Sequence, residues 1–183
     1  MEFRKIKDTN SKDFKKVWNI YESSFPDDEK RDLESQKEVI KHPSNNFYAI
    51  IEEGETIGLF EEWDFGDFIF GEHVAIREDL RNKGFGTKLF KEYLKRCGER
   101  IFVGEVEGPK EGGMAKRRIG FYSRLGILLN DHRYVQPAYS PDKNPMYLFL
   151  ITYPRKITKE EFVLIRDKIH RVVYGQKEPI IEI

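Results

Sequence analysis

Two hydrophobic periods alternate along this chain, and the switches between them mark its elements. Residues 2–7 form a short first strand. Asn10 or Ser11 can cap a helix whose apolar stripe is Phe14, Val17, Trp18, Tyr21 and Phe25, until Pro26 breaks it. Residues 27–42 are highly charged and predict a helix with a thin apolar face at Leu33, Val39 and Ile40, and 42–46 predict a loop. Residues 47–52 and 56–63 read as strands joined by a Glu-Glu-Gly-Glu hairpin turn, and Gly66 turns the chain into a third run, 68–76, apolar and β-branched enough for a buried strand. The period then lengthens again. Phe85, Leu89, Phe90, Tyr93, Leu94 and Cys97 recur at helical spacing, and Gly98 stands where a helix stops.

The second half repeats the alternation. Residues 101–106 predict a strand, ended by Gly108-Pro109, and 110–113 a loop. A helix follows over 114–125, with Ile119, Tyr122 and Leu125 on one side and Gly126 as its stop. Gly120 inside it costs about 1 kcal/mol relative to alanine, which close packing, ligand approach or simple tolerance would each explain. Residues 133–138 and 145–153 predict strands around a Pro-Asp-Lys-Asn loop. Thr158 and Glu161 form a capping box opening a helix with Phe162, Ile165, Ile169 and Val172 inward, ended by Gly175. The order is that of a mixed α+β or α/β plan.

The segment 77–86, between the strand 68–76 and the helix that opens at Phe85, carries the clearest chemistry. The first N–H groups of a helix lack partners within it, and the helix dipole adds about half a positive charge there, so a glycine-rich strand-to-helix turn suits an anion. Gly84 and Gly86 allow a phosphate close to the backbone, and Arg81 and Lys83 add cations. Gly-Phe-Gly-Thr-Lys does not have the P-loop spacing. The dinucleotide fingerprint fails as well, because Leu89 stands where its third glycine belongs.

Arg81-Asn82-Lys83-Gly84-Phe85-Gly86 resembles the Gln/Arg-x-x-Gly-x-Gly/Ala pyrophosphate loop of the GNAT N-acetyltransferases, and the order of elements over residues 1–153 is similar to theirs. The resemblance implies the GNAT fold: a twisted, mostly antiparallel sheet with a splayed parallel pair, here 68–76 and 101–106, in one domain, with 158–175 as a helical appendage. It implies acetyl-CoA as co-substrate, held by Arg81, Asn82, Lys83, Gly84, Phe85, Gly86 and Thr87 and by the backbone of Val74, Ala75 and Ile76, with an N–H near Val74 polarising the acetyl oxygen. Phe121-Tyr122 and Gly126 match the aromatic-Tyr-x-x-x-Gly signature, which implies Tyr122 as proton donor to the thiolate. Glu105 in Gly-Glu-Val matches the base of the ribosomal-protein N-terminal acetyltransferases. Glu72 is its rival, lying nine positions before Arg81 and, by strand alternation, on the side of Val74 and Ile76. Either glutamate could instead be a satisfied ion pair, or His73 could share the work. One departure stands out: Ala115 replaces an asparagine that many relatives use on the pantetheine.

Composition narrows the picture further. Charged residues make up 35% of the chain yet balance to zero, against a general nucleic-acid or membrane-surface binder. A single cysteine, Cys97, falls on the inward helix face and reads as core. With no internal disulfide possible and no apolar run near the roughly 18 residues of a membrane span, a cytoplasmic protein is expected. No two of His42, His73, His132 and His170 have metal-ligand spacing, so no metal is expected. Glu72, Glu105 and Glu107 favour a cationic acceptor, either a small-molecule amine or a peptide N-terminus, bordered by the loop at Gly112-Gly113. Tyr134 and Gln136-Pro137 are candidates for the far wall of the pocket. Glu29 and Arg31 read as a solvated charge run before they read as substrate contacts. Two other classes fit the same fold: a CoA-binding sensor without turnover, and a toxin acetylating aminoacyl-tRNA with a local patch at Lys116-Arg117-Arg118. A homodimer is compatible with all three.

Overall fold

Aromatic and β-branched residues crowd the stretch between Asn45 and Ile76, and that stretch folds as a meander. The computed structural model describes residues 1–181, and the chain divides into two compact units, Met1–Arg100 and Ile101–Ile183. In the first unit β1 (Glu2–Lys5), β2 (Asn45–Glu52), β3 (Glu55–Asp64) and β4 (Phe68–Ile76) pair antiparallel in that order. Strand alternation sends Phe47, Ala49, Ile51, Leu59 and Ala75 to one face. There they pack with Phe14, Val17, Ile20 and Tyr21 of α1 (Lys12–Ser24). Phe60 goes to the other face, against Phe90 and Tyr93 of α3 (Phe85–Cys97), with ring centroids 6.1 and 4.0 Å away. Burying each such side chain is worth about 2 kcal/mol. Ser11 caps α1, its hydroxyl accepting from the Phe14 N–H at 3.1 Å.

The long charged helix expected over 27–42 does not form. Residues Asp27–Glu29 make one 3₁₀ turn, and only Leu33–Val39, α2, is α-helical, capped by Asp32. Nor is every charge solvated: Arg31 is 5% exposed, and the polar Gln36 in the same segment is fully buried. The physical reason is a set of acidic partners on the sheet that local spacing could not reveal.

A bulge interrupts the β3–β4 ladder. Glu61 pairs with His73 while Glu62 pairs with Gly71, so Glu72 is an extra residue on β4. Alternation counted through the bulge puts Glu72 with Val74 and Ile76. In the structure its carboxylate lies 4.0 Å from the His73 ring nitrogen instead.

In the second unit β8 (Met146–Tyr153) is the hub. It pairs antiparallel with β5 (Ile101–Val106), with the two-residue β6 (Leu128–Leu129), which the sequence did not suggest, and with β7 (Tyr134–Gln136). Helix α4 spans Gly113–Arg124 and α5 spans Lys159–Val172. Both bonds of the Thr158/Glu161 capping box are present. Phe162, Ile165 and Ile169 of α5 are at most 6% exposed, so this helix is part of its unit's core. The architecture is the mixed α/β class of the GNAT fold.

Candidate active site

The turn after β4 is built to leave backbone donors facing outward. A 3₁₀ turn at Glu78–Leu80 precedes Arg81, and Asn82 and Gly84 then take left-handed conformations, with φ of 63° and 87°. Asparagine tolerates that region and glycine has no Cβ to oppose it. The first intrahelical bond of α3 is from the Lys88 N–H to the Gly84 carbonyl at 3.0 Å, so the N–H groups of Phe85, Gly86 and Thr87 stand ahead of the ladder. A Cβ built on Gly84 would meet nothing within 4 Å, so the space beside the turn is open. Donors, dipole and room together fit a phosphate group. Arg81 serves the turn rather than reaching outward. Its Nε donates to the Ile76 carbonyl and its Nη2 to Ser24 Oγ, both at 3.0 Å, tying the loop to the ends of β4 and α1. Lys83 is exposed. Among the backbone-binding candidates, Ala75 is buried while Val74 and Ile76 are half-buried. Strand β3 runs so close there that a Cβ on Gly58 would lie 2.4 Å from the Ala75 carbonyl oxygen.

On the α1 face of β3 and β4 sits a buried charge cluster that the sequence reading missed. His73 Nδ1 lies 2.8 Å from Glu61 Oε2, and its Nε2 lies 2.9 Å from the Glu29 carbonyl oxygen. Gln36 and Asn45 donate to Glu61 Oε1 at 2.6 and 3.0 Å. Glu72 is held at both oxygens, Oε1 by Arg31 Nη1 at 2.7 Å and Oε2 by the Trp63 indole N–H at 2.7 Å. Burial pushes the His73 ring down, but the hydrogen bond to Glu61 and the charges of Glu72 and Glu61 outweigh it and hold the pKa above its ordinary value. Burial likewise pushes Glu61 up, and its bond to His73 with the nearby cations brings it below the usual carboxylate range. Two carboxylates thus face two cations. Ligand atoms of Glu61, Glu72 and His73 do fall within 4.8 Å of one another. Arg31 and the amides also answer these carboxylates, so the groups form an ion cluster. The signal was in the sequence: two adjacent glutamates, Glu61 and Glu62, inside an otherwise apolar strand.

In the second unit Tyr122 is half-buried on α4. Burial, with the Arg118 charge pulling the other way, pushes its phenol up to about 12, so it keeps its proton through neutral pH. Glu105 on β5 accepts from the Tyr174 hydroxyl at 3.0 and 3.3 Å. Glu107 pairs with Arg118 at 2.5 Å. Ala115 is 1% exposed and packs inward where an asparagine side chain would need a polar partner. Gln136 is 4% exposed, with its amide Nε2 unpaired.

The family profile described as "Acetyltransferase (GNAT) family" matches residues 14–127. The chain belongs to the GNAT acetyltransferase family. It is therefore an acyltransferase of the N-acetyltransferase type. A GNAT-family acetyltransferase structure assigned from Bacteroides thetaiotaomicron is similar to it over 97% of this chain and all of its own, at 32% identity and a TM-score of 0.90. Two more distant structures share the fold. The ribosomal-protein-S18-alanine N-acetyltransferase from Escherichia coli has a TM-score of 0.60 at 14% identity, over 87% of this chain and 96% of its own. A GNAT family acetyltransferase from Elizabethkingia anophelis with acetyl-CoA bound has a TM-score of 0.54 at 16% identity, over 74% and 88%. No curated protein matches the sequence.

Within this GNAT chain the structure sorts the sequence candidates. Arg81 to Thr87 form one continuous turn and helix start, reached from Val74, Ala75 and Ile76 through the 3₁₀ turn at Glu78–Leu80. Glu72 joins the Glu61–His73–Arg31 cluster, and Glu105 joins Tyr174. Cys97 is core, 2% exposed, and burial raises its thiol to about 11. Of the three acidic residues that suggested a cationic acceptor, Glu72 and Glu107 are each paired with an arginine. Among the described residues no helix is long and apolar enough to cross a membrane.

Proposed function

We propose that this GNAT enzyme transfers the acetyl group of acetyl-CoA directly to a primary amine of a small molecule or a peptide. The observation that carries this reading is the outward-facing turn at Asn82–Thr87, whose backbone donors and open space suit a pyrophosphate. The acetyl-CoA bound to the Elizabethkingia anophelis relative and the peptide-type acceptor named for the Escherichia coli one support it. Acetyl-CoA supplies the activated acyl group. Glu105 takes a proton from the acceptor ammonium through water. The amine nitrogen then forms the C–N bond as the C–S bond breaks, Tyr122 gives its proton to the departing sulfur, and the second nitrogen proton, lost from the N-protonated amide, returns to the Tyr122 phenolate through solvent. We assign the base to Glu105 rather than Glu72 because the Glu72 carboxylate is paired with the Arg31 cation and its side chain is fully buried, whereas Glu105 is half-buried.

Thermal melting tests the donor. At about 100 times its Kd, acetyl-CoA should add roughly 2.7 kcal/mol, a shift of about 5–10 °C for a chain of this size, with ATP and NAD giving none. Thiol release is then followed with a panel of a diamine, an aminoglycoside and a short peptide. Tyr122→Phe should lower kcat by about 10²-fold while leaving acetyl-CoA affinity within about twofold. A melting shift with ATP instead, or no turnover with any panel amine, counts against this reading.

A further inference from the structure

Tyr174 lies two residues past the end of α5, outside the stretch that the family profile matches. It is 69 positions from Glu105 in sequence, yet its hydroxyl spans both oxygens of that carboxylate. Several independent contacts fix it there. The Val173 and Tyr174 N–H groups close on the Ile169 carbonyl at 2.8 and 3.4 Å. Gly175, left-handed at φ 64°, turns the chain, and the Gln176 N–H reaches the His170 carbonyl at 2.9 Å. The ring packs on Tyr139 with centroids 5.2 Å apart and stands perpendicular to His170 at 6.4 Å. Helix α5 is itself anchored by its capping box and by Phe162, Ile165 and Ile169 in the core. The hydroxyl is thus delivered by a rigid element. It donates across both Glu105 oxygens.

A neutral donor on a carboxylate favours the ionised form and narrows its rotamers. We propose that Tyr174 is a positioning residue that keeps Glu105 ionised and aimed for proton abstraction, so that the C-terminal segment completes the active site. This rests on the reading of Glu105 as the base.

Tyr174→Phe removes the hydroxyl and keeps the ring on Tyr139; its melting temperature confirms that it folds. In protein labelled with ¹³C at glutamate carboxyls, the signal missing from Glu105→Gln belongs to Glu105, and its titration is read without any acceptor. That titration should move to higher pH in Tyr174→Phe. With the panel amine that turns over fastest, kcat/KM should fall on the acid side of that titration by up to about tenfold, the factor of a one-unit shift, and return to within about twofold of wild type at pH 9. An unmoved titration, or an equal loss at every pH, while Glu105→Gln loses at least about 100-fold, overturns the positioning role and leaves the proposed function standing. Wild-type turnover in Glu105→Gln instead removes the base assignment, and the positioning role with it, even if the titration moves.

Discussion

The two fully described buried histidines show how much a single residue owes to its surroundings. His73 is 3% exposed and faces Glu61 and Glu72, with Arg31 and Tyr21 also packed about it; it is held above its ordinary pKa. His170 is fully buried against Tyr134 and Tyr174, and its Nδ1 accepts from the Ile180 N–H at 3.1 Å. Burial lowers its pKa to about 4. Its folded value lies below its unfolded one, so the unfolded chain takes up a proton first as the pH falls. Stability should therefore drop by about 3 kcal/mol between pH 6.5 and 4 on account of this residue. Urea denaturation of His170→Asn, which keeps an acceptor for Ile180, should show an acid limb flatter by that amount. A limb unchanged from wild type would mean that His170 ionises normally in the fold.

At the scale of elements, the sequence was most reliable where an element is locally encoded. The α3 bounds, the strands Phe68–Ile76 and Ile101–Val106, and the capping box of α5 agree with the pattern of apolar spacing and cap residues, because those signals lie within a few positions of each other. The segment 27–42 failed for the opposite reason. Its polar residues look solvated in sequence, yet Arg31 is held by Glu72 and Gln36 by Glu61, which lie on β4 and β3. The connection between α1 and α2 is thus pinned by a buried ion pair. Arg31→Met should cost about 3–5 kcal/mol in urea denaturation, because it leaves the Glu72 carboxylate buried beside Trp63 without its cation. Adding Glu72→Gln should recover part of that loss. If the double variant is as unstable as the sum of the singles, the pair is not coupled.

For the whole molecule, the buried titrating groups set opposite limits on stability. Glu61, held below its unfolded value, contributes above about pH 4.5 and loses that contribution as the pH falls through its folded pKa. His73, held above 6.5, contributes fully below that value and loses it as the pH rises through its raised pKa. Cys97 and Tyr48, raised by burial to about 11 and 12, weaken the fold only above their ordinary values of 9.0 and 10.0. A decline in denaturation midpoint between neutral pH and pH 9 therefore belongs to His73. A flat profile across that window would place the histidine outside its ion cluster.

The sequence by itself determined most of the order of the elements, the glycine-bearing turn at Arg81–Thr87 and the family likeness. All three are written in local spacing: apolar period, a glycine pair after a strand, and an aromatic-tyrosine dipeptide four residues before Gly126. Tertiary structure alone decided which charges are answered. The bulge at Glu72 breaks the alternation by which the sequence assigns a face, and it brings that carboxylate to Arg31 and Trp63. Strand pairing brings Glu61 to His73, 12 positions on, and the end of α5 brings Tyr174 to Glu105, 69 positions back. A buried carboxylate is stable only with a partner, and a partner can come from anywhere in the chain. Spacing along the sequence therefore cannot name it.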